Sequence, residues 1–398
     1  MKVIIINSGS SSIKYQLIEM PAKEVICSGM IDRIGLESSN FTYGTNTAKV
    51  EETLPIANHK IGLKKIAQLL MDDTVGVIKS TSDIEVVAHR VVHGGNSFSK
   101  TALITKEVKE EIRQLCGLAP LHNPAHLEGI IVAEEIFSEA KQVAVFDTAF
   151  HQTMPAVAYK YAIPNYLLTE NKIRAYGFHG TSHKYVTEKA ISYLKSINAP
   201  YKNIISVHLG NGCSITAVKD GKSVDHSMGF SPSNGLIMGT RAGDIDQSVI
   251  FYLVNTLGYS LPDANTLLNK QSGMLGLTGF SDLRDIQSNA AEGNKECQLA
   301  LDMNAYRIKK FIGSYVATLN GLDAIIFTAG IGENSSLVRK LVCTDMDYFG
   351  LDLDNEQNEI RSKEIREINT PSSKAKILVV PTNEELEIAN QAYDLLVN

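Results

Sequence analysis

No run in this chain approaches the roughly 18 consecutive apolar residues that a membrane-spanning helix requires. The amino terminus offers one lysine, Lys2, and a block of only four large apolar residues, Val3 to Ile6, too little for a signal peptide. Cysteine is scarce. The five present (Cys27, Cys116, Cys213, Cys297, Cys343) are odd in number, scattered and never spaced as CxxC. That excludes a disulfide framework and a zinc ribbon, and fits a reducing compartment. Basic charge is not in excess either: the net charge is −6, so the cationic surface that nucleic acid demands is missing. The expectation is a cytoplasmic protein with neither a membrane nor a nucleic acid as partner. A negatively charged protein that handles phosphates must gather its cations locally, which gives weight to single arginines among glycines.

What is present describes an ordinary globular chain: 398 residues, 44% hydrophobic and 21% charged, enough for two domains. One device occurs twice. Val3-Ile4-Ile5-Ile6 runs into Asn7-Ser8-Gly9-Ser10-Ser11-Ser12 and then alternates through Ile13, Tyr15 and Leu17. Later, Ile204-Ile205-Ser206-Val207 runs into His208-Leu209-Gly210-Asn211-Gly212-Cys213-Ser214 and alternates through Ile215 and Ala217. Each reads as strand, small-residue turn, strand. Successive N–H groups in such a turn form an anion-binding concavity, and glycine lets a phosphate approach. The repetition points to a nucleotide held between two related domains.

Strand-like runs at 84–92, 143–146, 204–207, 324–327 and 377–380 alternate with helix-like periods at 61–71, 106–115, 125–137, 183–194, 246–257, 300–319 and 384–396. That is the α/β pattern. The halves are expected to meet near 149–155, giving domains over 1–149 and 150–383, with the last helix, 384–398, returning to the first domain.

Several segments carry candidate chemistry. In Ala88-His89-Arg90-Val91-Val92-His93-Gly94-Gly95, the valine-rich context argues for a strand rather than a helical histidine pair for zinc. Alternate strand residues share a face, so Arg90 stands beside Val92. A guanidinium next to a small apolar group suits a short carboxylate; a structural ion pair is the competing reading for Arg90 alone. Asn123 is read as a helix N-cap with Pro124 at the first position, which sets His122 just before a helix N-terminus. Asp147 follows a buried-looking strand, where ligands bind in open α/β sheets. His179 stands between glycines ahead of a helix read as capped by Thr181 or Ser182. Arg241 is the single cation in Gly239-Thr240-Arg241-Ala242-Gly243, with Asp244 and Asp246 expected to cap the next helix. Thr382 and Glu385 read as a capping box, leaving Glu384 as a carboxylate for Mg²⁺ through water. Two look-alikes fall away. Asp220-Gly221-Lys222-Ser223 lacks the early glycine of a phosphate-binding loop and reads as a hairpin turn. Gly330-Ile331-Gly332-Glu333-Asn334-Ser335 lacks the third glycine of a dinucleotide fingerprint but keeps a helix start suited to a nucleotide.

In order and spacing these segments closely resemble the acetokinase family, the acetate kinases. The matching stretches run from Asn7–Lys14 through His89–Gly95, Phe146–His151, Tyr176–His183, His208–Gly212, Met238–Arg241, Asp282-Leu283-Arg284 and Gly330–Asn334 to Thr382–Glu385. The resemblance implies two duplicated actin-like (ribonuclease H-like) domains with a central nucleotide cleft, usually as a homodimer. It implies reversible transfer from ATP to acetate, giving acetyl phosphate and ADP, with Mg²⁺, for which Mn²⁺ can substitute. By matching motif, Asn7 and Glu384 place the metal and Lys14 lies near the phosphates. His208, Leu209, Gly210, Asn211, Gly212, Asp282, Leu283, Arg284, Gly330, Ile331, Gly332, Glu333 and Asn334 hold the nucleotide. Arg90 holds the carboxylate beside Val92, Leu121, Phe178 and Pro232. Arg241, His179, Asn211 and His122 surround the migrating phosphoryl group. For Asp147 the expectation is a residue that orients an arginine or a metal-bound water, because acetate is already ionised at neutral pH and asks for no base. The chain departs from the family pattern at Ser231-Pro232-Ser233-Asn234, at His226, where threonine is usual, and at Gln247, where proline is usual. The first of these leaves the size of the alkyl pocket open, and a propionate kinase of the same family is the alternative.

Overall fold

The computed structural model describes residues 1–119 and 122–397. Leu121, one of the expected pocket residues, lies outside them. The chain divides into two compact units, Met1–Phe150 with Asn383–Asn398, and His151–Thr382.

The first unit is built on strands β1 (Lys2–Ser8), β2 (Ser12–Glu19), β3 (Glu24–Asp32), β4 (Ser39–Thr45), β5 (Lys49–Leu54), β6 (Val86–Val91), β7 (Ala102–Leu103) and β8 (Lys141–Phe146), in the order β5-β4-β3-β2-β1-β6-β8-β7. β1, β6 and β8 are parallel, and the hairpin strands run antiparallel to their neighbours. The reason lies in β1. Its four isoleucine and valine side chains are buried in pairs on opposite faces, which only a strand covered on both sides can do. Ile4 and Ile6 pack with Leu63, Ile66 and Leu70 of the helix His59–Leu70. Val3 and Ile5 pack with Val86, Ala88, Val143 and Val145, beneath Ile388, Ala389 and Ala392 of the carboxyl-terminal helix Glu384–Val397.

The second unit repeats the scheme. Strands β9 (Asn203–Leu209), β10 (Cys213–Lys219), β11 (Lys222–His226), β12 (Ala324–Thr328), β13 (Arg366–Glu367) and β14 (Lys376–Val379) lie in the order β11-β10-β9-β12-β14-β13. β9, β12 and β14 are parallel, with β10 and β11 antiparallel beyond them. Thus β3-β2-β1-β6-β8 and β11-β10-β9-β12-β14 agree in order and direction. The protein is α/β with a duplicated actin-like fold, and the two strand–turn–strand segments of the sequence are the β1–β2 and β9–β10 hairpins.

Four helix starts differ from expectation. The helix Asn123–Ile136 has His122 at its N-cap; Asn123 instead binds the His93 backbone on both sides, accepting from its N–H at 3.2 Å and donating to its carbonyl at 3.0 Å. The helix Gly180–Ser196 begins directly after His179, so Thr181 and Ser182 lie inside it, and Ser182 bonds the His208 ring and Thr382. Ahead of Ser248–Asn255 the cap position is Gln247; Asp246 reaches the Ser248 N–H, while Asp244 accepts from Gly235. The last helix is capped by Asn383, whose Oδ1 accepts from Leu386 N–H at 2.9 Å. Asn123, Ser182 and Thr382 each take a partner distant in sequence over the local cap, whereas Asp246 stays with the Ser248 N–H two residues on.

Candidate functional site

In the first unit the candidate residues share one face and one end of the sheet. Alternation carries the face of Val3 and Ile5 to Asn7, that of Ala88 to Arg90, and that of Val143 and Val145 to Asp147. Asn7 lies opposite Lys14 in the hairpin register. All stand at the carboxyl ends of the parallel strands β1, β6 and β8, and the helix covering this face begins with Glu384. Ligands of open α/β sheets bind at such strand ends.

Arg90 and Asp147 define the charge pattern there. The guanidinium donates from Nη2 to Asp147 Oδ2 at 2.6 Å and from Nε to both carboxylate oxygens at 3.1 Å. Asp147 is buried, and Glu384 lies 3.9 Å from Arg90 Nε. Burial alone would depress the Arg90 guanidinium, but the facing acids outweigh it and hold it above its ordinary value. Glu384 is pushed up, first by its own burial, and by Asp147, against the pull of Arg90. Asp147 therefore occupies one fork of the guanidinium. Among the described residues Nη1 makes no hydrogen bond, which leaves the second fork of the guanidinium for an anion. Val92 is buried one residue beyond β6, and His122 holds the cap position of the helix Asn123–Ile136.

In the second unit Arg241 is brought against the β9–β10 turn by glycines. A Cβ on Gly212 would lie 3.2 Å from His179 Nε2 and 3.7 Å from Arg241 Nη1, so glycine is what lets the three converge. His179 has a left-handed backbone, φ 55°, rare for a non-glycine residue and costing about 1–2 kcal/mol. Such strain clusters at functional sites. Its Nδ1 pairs with Ser214 Oγ at 2.9 Å. Arg241 is half-buried, donates from Nη1 to the Pro232 carbonyl at 2.6 Å, and forms no ion pair among the described residues. Desolvation pushes its guanidinium down. A cation taken partly out of water without a carboxylate is the arrangement that an incoming anion completes.

Beside it opens a cavity of about 680 Å³, within the usual range for a nucleotide-sized ligand. Leu209, Gly210, Asn211, Asp282, Leu283, Arg284, Gly330, Ile331 and Asn334 line it, as the motifs led one to expect. His208, Gly212, Gly332 and Glu333 do not. His208 is buried against Ser182, Gly332 packs on Phe327, and Glu333 spends its carboxylate on the Thr382 N–H. Phe178 is buried and Pro232 half-buried near the arginine loop, both within this unit. Sequence reasoning missed Ser281, Gln287, Asn304, Ser335 and Arg361 on the lining. Gln287 follows Leu283 by one helical turn and could have been found by periodicity; Asn304 and Arg361 come from distant segments with no local signal.

One glycine supplies a direct test. A Cβ at Gly239 would stand 2.1 Å from Asn211 Oδ1. Gly239→Ala should swing the exposed Asn211 side chain out of place, lowering turnover by roughly 10²-fold through misalignment alone. The Tm should stay within a few degrees, because the displaced atom ends a mobile side chain. Unchanged steady-state rates would remove Asn211 from the chemistry.

The model of the acetokinase family matches residues 2–390. The chain is 71% identical, over the whole of both sequences, to acetate kinase of Flavobacterium johnsoniae. Its structure is similar to that of Porphyromonas gingivalis acetate kinase, with a TM-score of 0.92 and 42% identity over 99% of each chain. It is also similar to a propionate kinase from Francisella tularensis subsp. tularensis, with a TM-score of 0.91 and 42% identity over 98% of each chain.

Proposed function

Because this chain belongs to the acetokinase family, we propose that it transfers the γ-phosphoryl group of ATP to acetate, reversibly, giving acetyl phosphate and ADP. The observation that carries the mechanism is Arg241, a desolvated guanidinium with no carboxylate partner among the described residues, beside a nucleotide-sized cavity. Residues 150–383 supply the donor pole, with ATP in that cavity. Residues 1–149 and 384–398 supply the acceptor pole, with the acetate carboxylate on the second fork of Arg90 and its methyl group on Val92.

The chemistry balances without a base. An ionised acetate oxygen attacks the γ-phosphorus in line, the bond to the bridging oxygen breaks, and ADP leaves with that electron pair. Arg241, with His179 and Asn211, neutralises the equatorial oxygens as charge develops. Asp147 holds Arg90 in one orientation, which explains an acid at that position where no proton has to move. Lys14 adds positive potential near the phosphates, and His122 is the further residue proposed beside the phosphoryl group.

Glu384 and Asn7 fit Mg²⁺ or Mn²⁺ by the nature of their donors, a carboxylate and an amide oxygen on the same strand-end face as Asp147. Among the described residues no three metal-ligating His, Cys, Asp or Glu side chains form a cage. Mg²⁺ characteristically keeps water and substrate phosphates beside one or two carboxylates. When bound, it would neutralise phosphate charge.

Supporting a homodimer, the second unit leaves Phe251, Tyr252, Leu257 and Leu261 exposed around the helices Ser248–Asn255 and Leu261–Lys270. No helix among the described residues is long and apolar enough to cross a membrane. With five free cysteines, this supports a cytoplasmic location.

A hydroxamate assay with ATP and acetate, propionate, butyrate or glucose tests the reading. Acetate should lead propionate by about 10–200-fold in kcat/KM, the discrimination that one methylene allows in an apolar pocket. The likeness to a propionate kinase keeps the reverse order as the second reading. Turnover of glucose alone would overturn both.

A further inference from the structure

Five histidines of the second unit form a continuous group. His151 and His226 lie tilted to one another at 4.1 Å between ring centroids, His179 and His208 stack at 4.4 Å, and His183 lies 5.3–5.9 Å from His226, His151 and His208. Two of them grip the backbone of one residue. The Phe178 N–H donates to His226 Nε2 at 3.1 Å, and the Phe178 carbonyl faces His151 Nε2 at 3.0 Å.

Backbone partners decide the protons. A carbonyl oxygen can only accept, so His151 carries its proton on Nε2, and its Nδ1 accepts from Ser223 Oγ at 2.8 Å. An N–H can only donate, so His226 Nε2 is bare, and its proton sits on Nδ1, donated to Thr216 Oγ1 at 2.7 Å. Nε2 thus carries a proton on His151 and none on His226. The site is built for them: Gly177, φ 78°, has no Cβ because one would lie 2.7 Å from the His151 ring.

We propose that His226 and His151 are a positioning pair for the phosphoryl-transfer reaction: they clamp the Phe178 backbone on both sides and so hold the left-handed turn at His179 next to Arg241. This rests on the function proposed above for His179. The clamp offsets the strain of that turn, because the Phe178 carbonyl belongs to the peptide that leads into His179, and its bond to His151 opposes the rotation that would relieve it. It demands a neutral His226; a protonated ring would set a donor against the Phe178 N–H. Its surroundings keep it neutral. Burial pushes His226 well below the ordinary histidine range, and the facing rings of His151, His183, His179 and His208 push the same way. Asp225, next to it on β11, accepts from the His226 backbone N–H.

The test pairs kinetics with a structural readout. In His226→Leu, kcat should fall about tenfold, the scale of one buried hydrogen bond left unmade. KM for ATP should hold, because other segments line the cavity, and the Phe178 amide should exchange faster with solvent. His226→Gln, whose Oε1 can accept the same N–H, should restore kcat to within about threefold, well inside the tenfold loss. Nitrogen-15 NMR of the wild-type protein should show Nδ1–H on His226 and Nε2–H on His151. The opposite tautomers, or full kcat with unchanged Phe178 exchange in His226→Leu, would overturn the proposal. If the leucine variant fails to fold, the wild-type tautomers and the glutamine variant still decide. A wild-type protein that phosphorylates neither acetate nor propionate would sink the functional reading, while tautomers and exchange would still report on the clamp.

Discussion

Arg241→Ala should lower kcat on the order of 10³-fold, the contribution of an arginine that meets a transferring phosphoryl group. Stability should move little, or rise. The guanidinium is desolvated and its only hydrogen-bonded oxygen is the Pro232 carbonyl, so removing it relieves a burial cost and breaks no ion pair among the described residues. This combination, inactive yet no less stable, separates a catalytic arginine from a structural one. Arg241→Lys should recover only part of the rate, because a point charge cannot bridge two equatorial oxygens as a fork does. Rapid-quench turnover alongside thermal unfolding checks both halves. Near-wild-type turnover in Arg241→Ala would take this residue out of the reaction.

Arg90→Ala should do the opposite to stability. Its partner Asp147 is buried and Glu384 lies on the same face, so losing the guanidinium leaves two acids without their shared cation. The cost should be about 3 kcal/mol, the scale for breaking a buried pair. Activity should fall as well. Two charge-assisted hydrogen bonds to acetate, about 1.5–3 kcal/mol each, amount to roughly 10²–10⁴-fold in kcat/KM. The loss should appear first in KM for acetate, since the fork binds ground state and transition state alike. Arg90→Lys keeps the charge and should regain most of the stability but little of the affinity. Initial rates over a range of acetate concentrations, with urea unfolding of the same samples, would decide. An unchanged KM for acetate would assign Arg90 to structure alone, as the partner of Asp147.

Much of this was legible in the linear chain because it depends on local rules. A valine- and isoleucine-rich run such as Val3–Ile6 can be satisfied only as a strand buried on both faces, and a Gly-Asn-Gly turn only as a tight reversal. Two such hairpins in one chain imply duplication before any coordinates exist. The Asp220-Gly221 turn was readable for the same reason: both residues adopt positive φ, 50° and 76°, which aspartate and glycine tolerate. Arg90, Arg241 and Asp147 stood out because charge beside small residues or at a strand end has few structural uses.

The capping assignments failed for a common reason. Asn123, Ser182 and Thr382 all have the right chemistry to cap a helix, but each found a partner more than twenty residues away and left the end to a neighbour. The cavity lining was only half visible because a wall is assembled from whatever segments the fold brings together. Asn304 belongs to the long helix Lys295–Leu319, where nothing nearby marks it as facing a ligand.

By itself, then, the order of residues determined the repeated α/β scheme, the turns suited to phosphate and the identity of the charged groups, since propensity and alternation act within a few neighbours. Only the folded molecule decided which fork of Arg90 Asp147 would occupy, that Arg241 would find no counter-charge among the described residues, and that His226 and His151 would bracket the Phe178 backbone. Those outcomes depend on hydrogen-bond direction and desolvation across long sequence separations, which no local pattern encodes.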